Sequence, residues 1–395
     1  MPDLSHRIRE LGLSVEHWAK EHRWLIRYSH SKRVRDQWMS RQKAKADKSK
    51  LSAQPAGCAT KRCLLDLQRI ANDGEQGRRF HALVTLLQHG GYELSLVPRL
   101  QFLQTGHRQY KASALTNIQP FCDSDLHADQ APFDLCLSDR CDRHPRARRT
   151  MRVITSTRRP LSDSDYALPY SFFPLVWDHH CDGSFDGYRQ SPRTWRLFFA
   201  GQCTQEGYRG ISKYPRLQIL DRHSVIRCAK QHYADLLLEI TSDECLADAR
   251  AIRHASFVMI DNANYRTDPA DWFGLLSQSD FFLAAPGGDY PLSHNAIEAI
   301  AVGTIPVLEY ESLFTPALRD GENCVTYRGA AGLRGAFDRI AAMSPQQIST
   351  LRRGVIDYYQ DHLSPAAFAQ QLESQRHHRL HLYSYLTPAT VKSAA

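Results

Sequence analysis

The residues best equipped for chemistry lie in one stretch of this 395-residue chain, residues 280–309, which reads DFFLAAPGGDYPLSHNAIEAIAVGTIPVLE. An apolar run, Phe281 to Ala285, leads straight into Pro286-Gly287-Gly288-Asp289. Two consecutive glycines let the backbone approach a ligand closely and present successive N–H groups as an anion-binding nest. Ser293 is placed to cap a helix running through Ala296, Ile297, Ala299, Ile300 and Ala301, and Gly303 ends it as the residue after the C-cap. A phosphate near Gly288 would meet those N–H donors and the positive end of the helix dipole. His294 and Glu298 are four residues apart, so they share a helix face near that end. A glutamate there can accept from two vicinal hydroxyls of a ribose, as acidic residues do in other nucleotide sites, or it can be a solvated helix residue.

The elements that must position this stretch follow from hydrophobic pattern. Phe281–Ala284 and Thr304–Leu308 read as strands on either side of the helix. Upstream, Arg196–Gly201 and Phe257–Ile260 are strands and a helical pattern runs from His223 to about Glu239. Cys324–Tyr327 is a short late strand, and Ser344-Pro345-Gln346-Gln347 opens a helix with a capping box. Nearer the N-terminus, a strand at Cys63–Leu67, a turn at Asn72–Gly77, a helix through Phe80–Leu87 and a strand at Tyr92–Pro98 form a βαβ unit. Phe133–Leu137 and Met151–Thr155 are further strands. The Pro-bounded segment Leu168–Pro174 reads as a connection between two α/β halves. The expected fold is therefore α/β with two Rossmann-like domains, 61–168 and 169–382, after a basic helical arm and linker, 1–60, and before a tail, 383–395. Open α/β sheets bind ligands at the carboxyl ends of their strands, so two such domains facing each other would frame a cleft.

Composition narrows the class. A 42% hydrophobic and 10% aromatic content is that of a globular protein, and no run reaches the roughly 18 apolar residues that span a bilayer. The N-terminus lacks an apolar leader region, which predicts a cytoplasmic protein. The ten cysteines are scattered and form no CxxC, so reduced thiols are expected and structural zinc is not. The net charge of +8 is uneven: residues 1–50 hold 13 Lys/Arg against 6 Asp/Glu, leaving the remainder near +1. That balance excludes a nucleic-acid surface on the body of the protein. Trp18, Trp24, Leu25 and Ile26 sit among the arm's basic residues in an amphipathic pattern. Such an arm can pack on the body or on a second subunit, or attach peripherally to an anionic membrane surface.

Asn295–Val307, NAIEAIAVGTIPV, resembles the donor-site segment of GT-B glycosyltransferases, in which a helix glutamate precedes small residues, a glycine and a Pro-Val strand. The wider stretch, with Asp320-Gly321-Glu322-Asn323-Cys324 after it, looks most like exostosin-type glycosyltransferases. Leu197-Phe198-Phe199-Ala200-Gly201 resembles that family's first donor-domain strand and loop, and Pro169-Tyr170-Ser171 its interdomain segment. The resemblance spans roughly residues 165–330. It departs from the usual pattern at Tyr290–Asn295, where a shorter Ser-Arg-containing turn is common.

The resemblance implies a nucleotide-sugar donor held by the C-terminal domain and a glycan or lipid-linked acceptor held by the N-terminal one, with no cofactor and no metal. It implies that Glu298 contacts the donor ribose. It places Gly287, Gly288, Asp289, Ser293, His294 and Asn295 near the diphosphate, and Gly201 at the end of the first donor-domain strand. Arg222 and Lys213 fall where basic residues stabilise the leaving diphosphate. Inverting transfer also needs a general base on an N-domain loop. Asp73 is the first choice, with Asp139 and the Asp178-His179-His180 cluster as rivals. Two competing readings remain at this stage: a GT-B-fold epimerase acting on the sugar nucleotide, and a non-catalytic sugar-nucleotide-binding protein.

Overall fold

The computed structural model describes residues 32–42, 61–68, 75–104, 109–121, 132–155, 162–179, 184–204, 217–252, 255–288, 290–374 and 376–382. The chain forms two compact units, Met1–Thr155 with Arg376–Leu382, and Ser156–Gln375 with Tyr383–Ala395.

In the first unit, helix α1 (residues 32–42) precedes strand β1 (Lys61–Asp66), helix α2 (Glu75–His89) and strand β2 (Tyr92–Leu96). Helices α3 (Leu100–Leu103) and α4 (Gln109–Leu115) follow, then strands β3 (Gln119–Pro120), β4 (Phe133–Ser138) and β5 (Ala147–Ile154). The apolar centres of β1 and β4 are buried on both faces, which is the pattern of parallel strands covered on each side. Between β4 and β5 the parallel pairing is bridged by residues 139–146 alone, without a helix. Part of the basic arm is fixed here. Trp38 Nε1 and Gln42 Nε2 both donate to the Leu115 carbonyl that ends α4, at 3.0 and 2.9 Å, so 32–42 packs on the body of its unit. Residues 1–31 and 43–60 lie outside the described residues.

The second unit begins with a short strand, β6 (Asp165–Ala167), and two short helices, α5 (Pro174–His179) and α6 (Asp186–Gln190). Strand β7 (Trp195–Gly201) then alternates with helices: α7 (Arg222–His232), β8 (Leu237–Ile240), α8 (Asp243–Ala251), β9 (Ala255–Asp261), α9 (Trp272–Leu276), β10 (Ser279–Leu283), α10 (His294–Ala301) and β11 (Ile305–Leu308). Strand β12 (Val325–Thr326) and helices α11 (Gly329–Ala342), α12 (Pro345–Tyr358) and α13 (Pro365–Glu373) complete it. The capping box predicted at Ser344 and Gln347 is formed in full. The helix expected to reach Glu239 instead stops at His232, because Leu237–Ile240 pairs with β9 as an edge strand. An apolar tetrapeptide carries no period of its own, so only that partner decides its state.

Residues 376–382 belong to the first unit, where strand β13 (Arg379–His381) pairs with β5. The first-unit strands run β3-β2-β1-β4-β5-β13, all parallel neighbours. The unit boundary thus falls at 155/156 rather than 168/169, and the C-terminal strand returns to the first sheet. Tail residues 383–395 lie outside the described residues. Among the described residues no helix is long and apolar enough to cross a membrane. The α/β class with two parallel sheets matches the expectation from pattern.

One surface pair stiffens the second unit and gives it an acid response. Asp320 accepts from Arg339 at 2.7 and 2.8 Å and from the Thr326 N–H at 2.7 Å. Burial alone would raise the Asp320 pKa, but those donors outweigh it and hold the carboxyl below its ordinary value. A depressed carboxyl contributes stability above its unfolded-state pKa and loses it as pH falls through the folded-state value. Asp320→Asn is therefore expected to unfold at a lower temperature than wild type at neutral pH, with the gap closing on acidification. Thermal melts across that range check it.

Candidate active site

The second sheet runs β12-β11-β10-β7-β9-β8 with every pair parallel. From β7 the chain builds β8 and β9 on one side, then β10, β11 and β12 on the other. The order therefore reverses between β7 and β10, and their carboxyl ends diverge into a crevice. Gly201 ends β7 at this point, and the loop from Ala284 leaves β10 beside it.

Arg222 bridges the crevice. Asp221 caps α7 by accepting from the Ser224 N–H at 2.8 Å, which sets Arg222 as the first helical residue. Its guanidinium donates from Nε to the Pro286 carbonyl at 2.9 Å and from Nη2 to the Ala285 carbonyl at 3.4 Å. A Cβ on Gly201 would lie 3.0 Å from Nη1, so glycine leaves this guanidinium its room. Arg222 is 6% exposed, and these two carbonyls hold its guanidinium at the switch point. In a low-dielectric setting that charge acts strongly on an anion brought beside it.

The loop after β10 is closed by its own backbone. The Gly287 N–H donates to the Pro291 carbonyl at 2.9 Å, and a Cβ on Gly287 would lie 2.3 Å from the Tyr290 carbonyl oxygen. That separation is far inside van der Waals contact, and the obstacle is backbone. Gly287→Ala is expected to reopen the loop and weaken anion binding at least ten-fold while leaving the fold intact. Calorimetric titration with a nucleoside diphosphate checks it, and unchanged affinity would remove the loop from the site.

Helix α10 is anchored at both ends. Asn295 Nδ2 donates to the Ala200 carbonyl at 3.1 Å, tying its first turn to the end of β7. At the other end, Arg189 Nε donates to Ala301 O at 3.0 Å and Arg193 Nη2 to Val302 O at 2.7 Å, placing cations on the negative end of the dipole. Gly303 has φ 75° and donates back to Ile300 O at 3.1 Å, the terminating role expected of it. Ser293 departs from expectation. It stands at the N-cap with extended backbone, yet its side chain makes no capping hydrogen bond.

Glu298 also departs from expectation. It is 1% exposed, and its carboxylate faces into the protein. Oε1 accepts from the Phe173 N–H at 2.7 Å, Oε2 from Trp272 Nε1 at 2.7 Å, and His294 Nδ1 lies 3.1 and 3.2 Å from the two oxygens. Three donors occupy most of its acceptor capacity. The solvated-helix alternative is thus excluded. His294, its ring tilted 38° to that of Phe173 with centroids 5.1 Å apart, is the more exposed member of the pair.

The structure therefore gathers Gly201, Arg222, Gly287, Gly288, Ser293, His294, Asn295 and Glu298 along the carboxyl-terminal edge of the second sheet, where β7 and β10 end. Asp73, Lys213 and Asp289 lie outside the described residues, as do His180 and its neighbours to Asp182. Of the other base candidates, Asp139 is 1% exposed with both carboxylate oxygens on the Gln68 N–H, at 2.9 and 3.0 Å, which is a turn-fixing role. Asp178 and His179 are exposed on α5.

Four residues at this edge escaped the sequence reading. Trp272 and Phe173 hold Glu298, and neither is near it in sequence. Glu309, 3% exposed, directly follows β11 and accepts from the Leu220 N–H at 2.7 Å and from the Gly329 N–H. It ties the approach to α7 to the start of α11. Tyr310 is buried beside it, with its hydroxyl pushed up by burial and drawn partly back by Arg222. Their position just past a strand end was the available signal.

No protein family matches the chain. No curated protein matches it either. Solved structures do align with it. The N-terminal domain of Candida albicans trehalose-6-phosphate phosphatase is 9% identical over 81% of this chain and 97% of its own, with a TM-score of 0.41. Anabaena HepE, solved with UDP and glucose, is 10% identical over 80% and 98%, with a TM-score of 0.38. A Rickettsia africae glycosyltransferase is 8% identical over 80% and 97%, with a TM-score of 0.41. At the level its own architecture establishes, this chain is an α/β protein of two parallel-sheet units.

Proposed function

We propose that the chain is a GT-B glycosyltransferase of exostosin-like type, transferring a sugar from a nucleotide-sugar donor to a glycan or lipid-linked acceptor in surface polysaccharide synthesis. The observation that carries this reading is Arg222, buried at the switch point between Gly201 and the Pro286-Gly287 loop. A diphosphate there would meet a fixed positive charge. It would also meet the first-turn N–H groups of α10, which the Ser293 side chain leaves uncapped.

The acceptor oxygen attacks the anomeric carbon as the bond from that carbon to the diphosphate oxygen breaks. The nucleoside diphosphate leaves with the electron pair, and the hydroxyl proton passes to a base, for which Asp73 is the candidate. In this reading attack comes from the face opposite the leaving group and inverts the anomeric centre, and Arg222 with the helix dipole, rather than a metal, stabilises the charge that develops on the leaving oxygen. The burial of Glu298 favours an indirect role for it: it orients His294, whose imidazole is presented to the donor. Peripheral attachment at the cytoplasmic membrane face would fall to residues 1–50.

Incubation with a panel of radiolabelled nucleotide sugars tests the proposal. Slow donor hydrolysis without acceptor is the expected result. Failure of every donor to bind would sink the transferase reading, and a changed sugar with the nucleotide still attached would replace it by epimerisation.

A further inference from the structure

Within the second unit lies a cavity of about 270 Å³, near the lower bound of ligand pockets at roughly 300 Å³. Leu292 from the loop after β10 and Ile297 from α10 form part of its wall, so it adjoins the proposed donor site. Another part of the wall comes from residues 359–363, a π-helical turn between α12 and α13. Asp361, His362 and Leu363 all line the cavity. Such π-helical turns recur at functional sites.

The lining suits a carbohydrate. Tyr166, Tyr170 and Phe314 offer aromatic surface for the C–H faces of a sugar ring. Asp361, His362 and Gln371 offer hydroxyl-binding groups. Among its described lining residues Asp361 is the one acidic side chain, and no lysine or arginine is there to receive a phosphate or carboxylate.

We propose that this cavity is a subsite for one uncharged pyranose ring, and that Asp361 excludes acidic sugars from it. The inference deepens the transferase reading and rests on it for the occupant being a sugar. The ring could belong to the donor or to the acceptor glycan, and the chemistry of recognition is the same.

Ligand-observed NMR on the full chain tests it, using methyl glycosides of glucose, galactose, mannose and N-acetylglucosamine with methyl glucuronide as the acidic probe. At least one uncharged glycoside is expected to bind at millimolar concentration and to outcompete the glucuronide by ten-fold or more. Asp361→Ala should weaken that binding at least ten-fold, and the space-filling Gln371→Trp should abolish it. Both positions are partly or fully exposed, and the comparison of neutral with acidic sugar needs no variant at all. Displacement of the glycoside by nucleotide sugar assigns the ring to the donor, whereas simultaneous binding assigns it to the acceptor, and either supports the subsite. The proposal is overturned if no uncharged glycoside binds, if binding survives both variants, or if the glucuronide binds equally well. Nucleoside diphosphate affinity is measured in parallel. Glycoside binding without it would sink the transferase reading alone, and the reverse would sink the cavity alone.

Discussion

Glu298→Ala is expected to lower the melting temperature of the protein by about 10 °C and to weaken donor binding with it. The reason is the number of donors that converge on one buried carboxylate. Its removal leaves the Phe173 N–H, Trp272 Nε1 and His294 Nδ1 without their acceptor in a site that is 1% exposed at Glu298. An orphaned buried donor costs about 1–3 kcal/mol; with Trp272 Nε1 buried and the other two part-buried, together about 3–5 kcal/mol is a fair expectation. For a unit of roughly 150–250 residues each kcal/mol moves the midpoint by about 2–4 °C. Glu298→Gln should fall between, since an amide keeps one acceptor oxygen and turns a donor toward the other partners. Differential scanning calorimetry and nucleotide titration, run on the same samples, read both effects. A glutamate that touched only the ribose would give the opposite split: lost affinity at an unchanged melting temperature.

Arg222→Met should reduce turnover by about 10²–10³-fold, the usual cost of removing one preorganised charge stabiliser. The effect should fall mainly on kcat, because charge on the diphosphate oxygen grows as the sugar departs. Arg222→Lys restores the charge but cannot reach both the Ala285 and Pro286 carbonyls with a planar fork. It should recover only part of the rate. Steady-state kinetics on the donor identified by the nucleotide-sugar panel provide the check. A methionine variant with wild-type kcat would show that the guanidinium merely braces the loop.

Much of the second unit is legible in the amino-acid sequence, and for identifiable reasons. The strand, glycine loop, helix and strand of residues 280–309 are each specified locally: by an apolar run, by paired glycines, by small residues in helical period and by Gly303. Local signals of that kind survive folding unchanged, and the observed β10, α10 and β11 fall where they indicated. The resemblance added the expected chemical meaning of the stretch.

What sequence could not supply was partnership across distance. Trp272 is 26 residues from Glu298 and Phe173 is 125, and no period links them. Their meeting turns an amphipathic helix glutamate from an expected surface acceptor into a buried hub. The same holds for Leu237–Ile240, a strand only because β9 lies beside it, and for β13, which returns to the first sheet after the whole second unit. By itself the sequence determined that a glycine loop runs into a helix start at residues 286–294. The tertiary structure decided that Arg222 is buried against the Ala285 and Pro286 carbonyls of that loop, and that Glu298 is spent on holding the helix rather than open to solvent. Spacing along the chain records local geometry, whereas burial and satisfaction of a carboxylate depend on which distant donors the fold delivers.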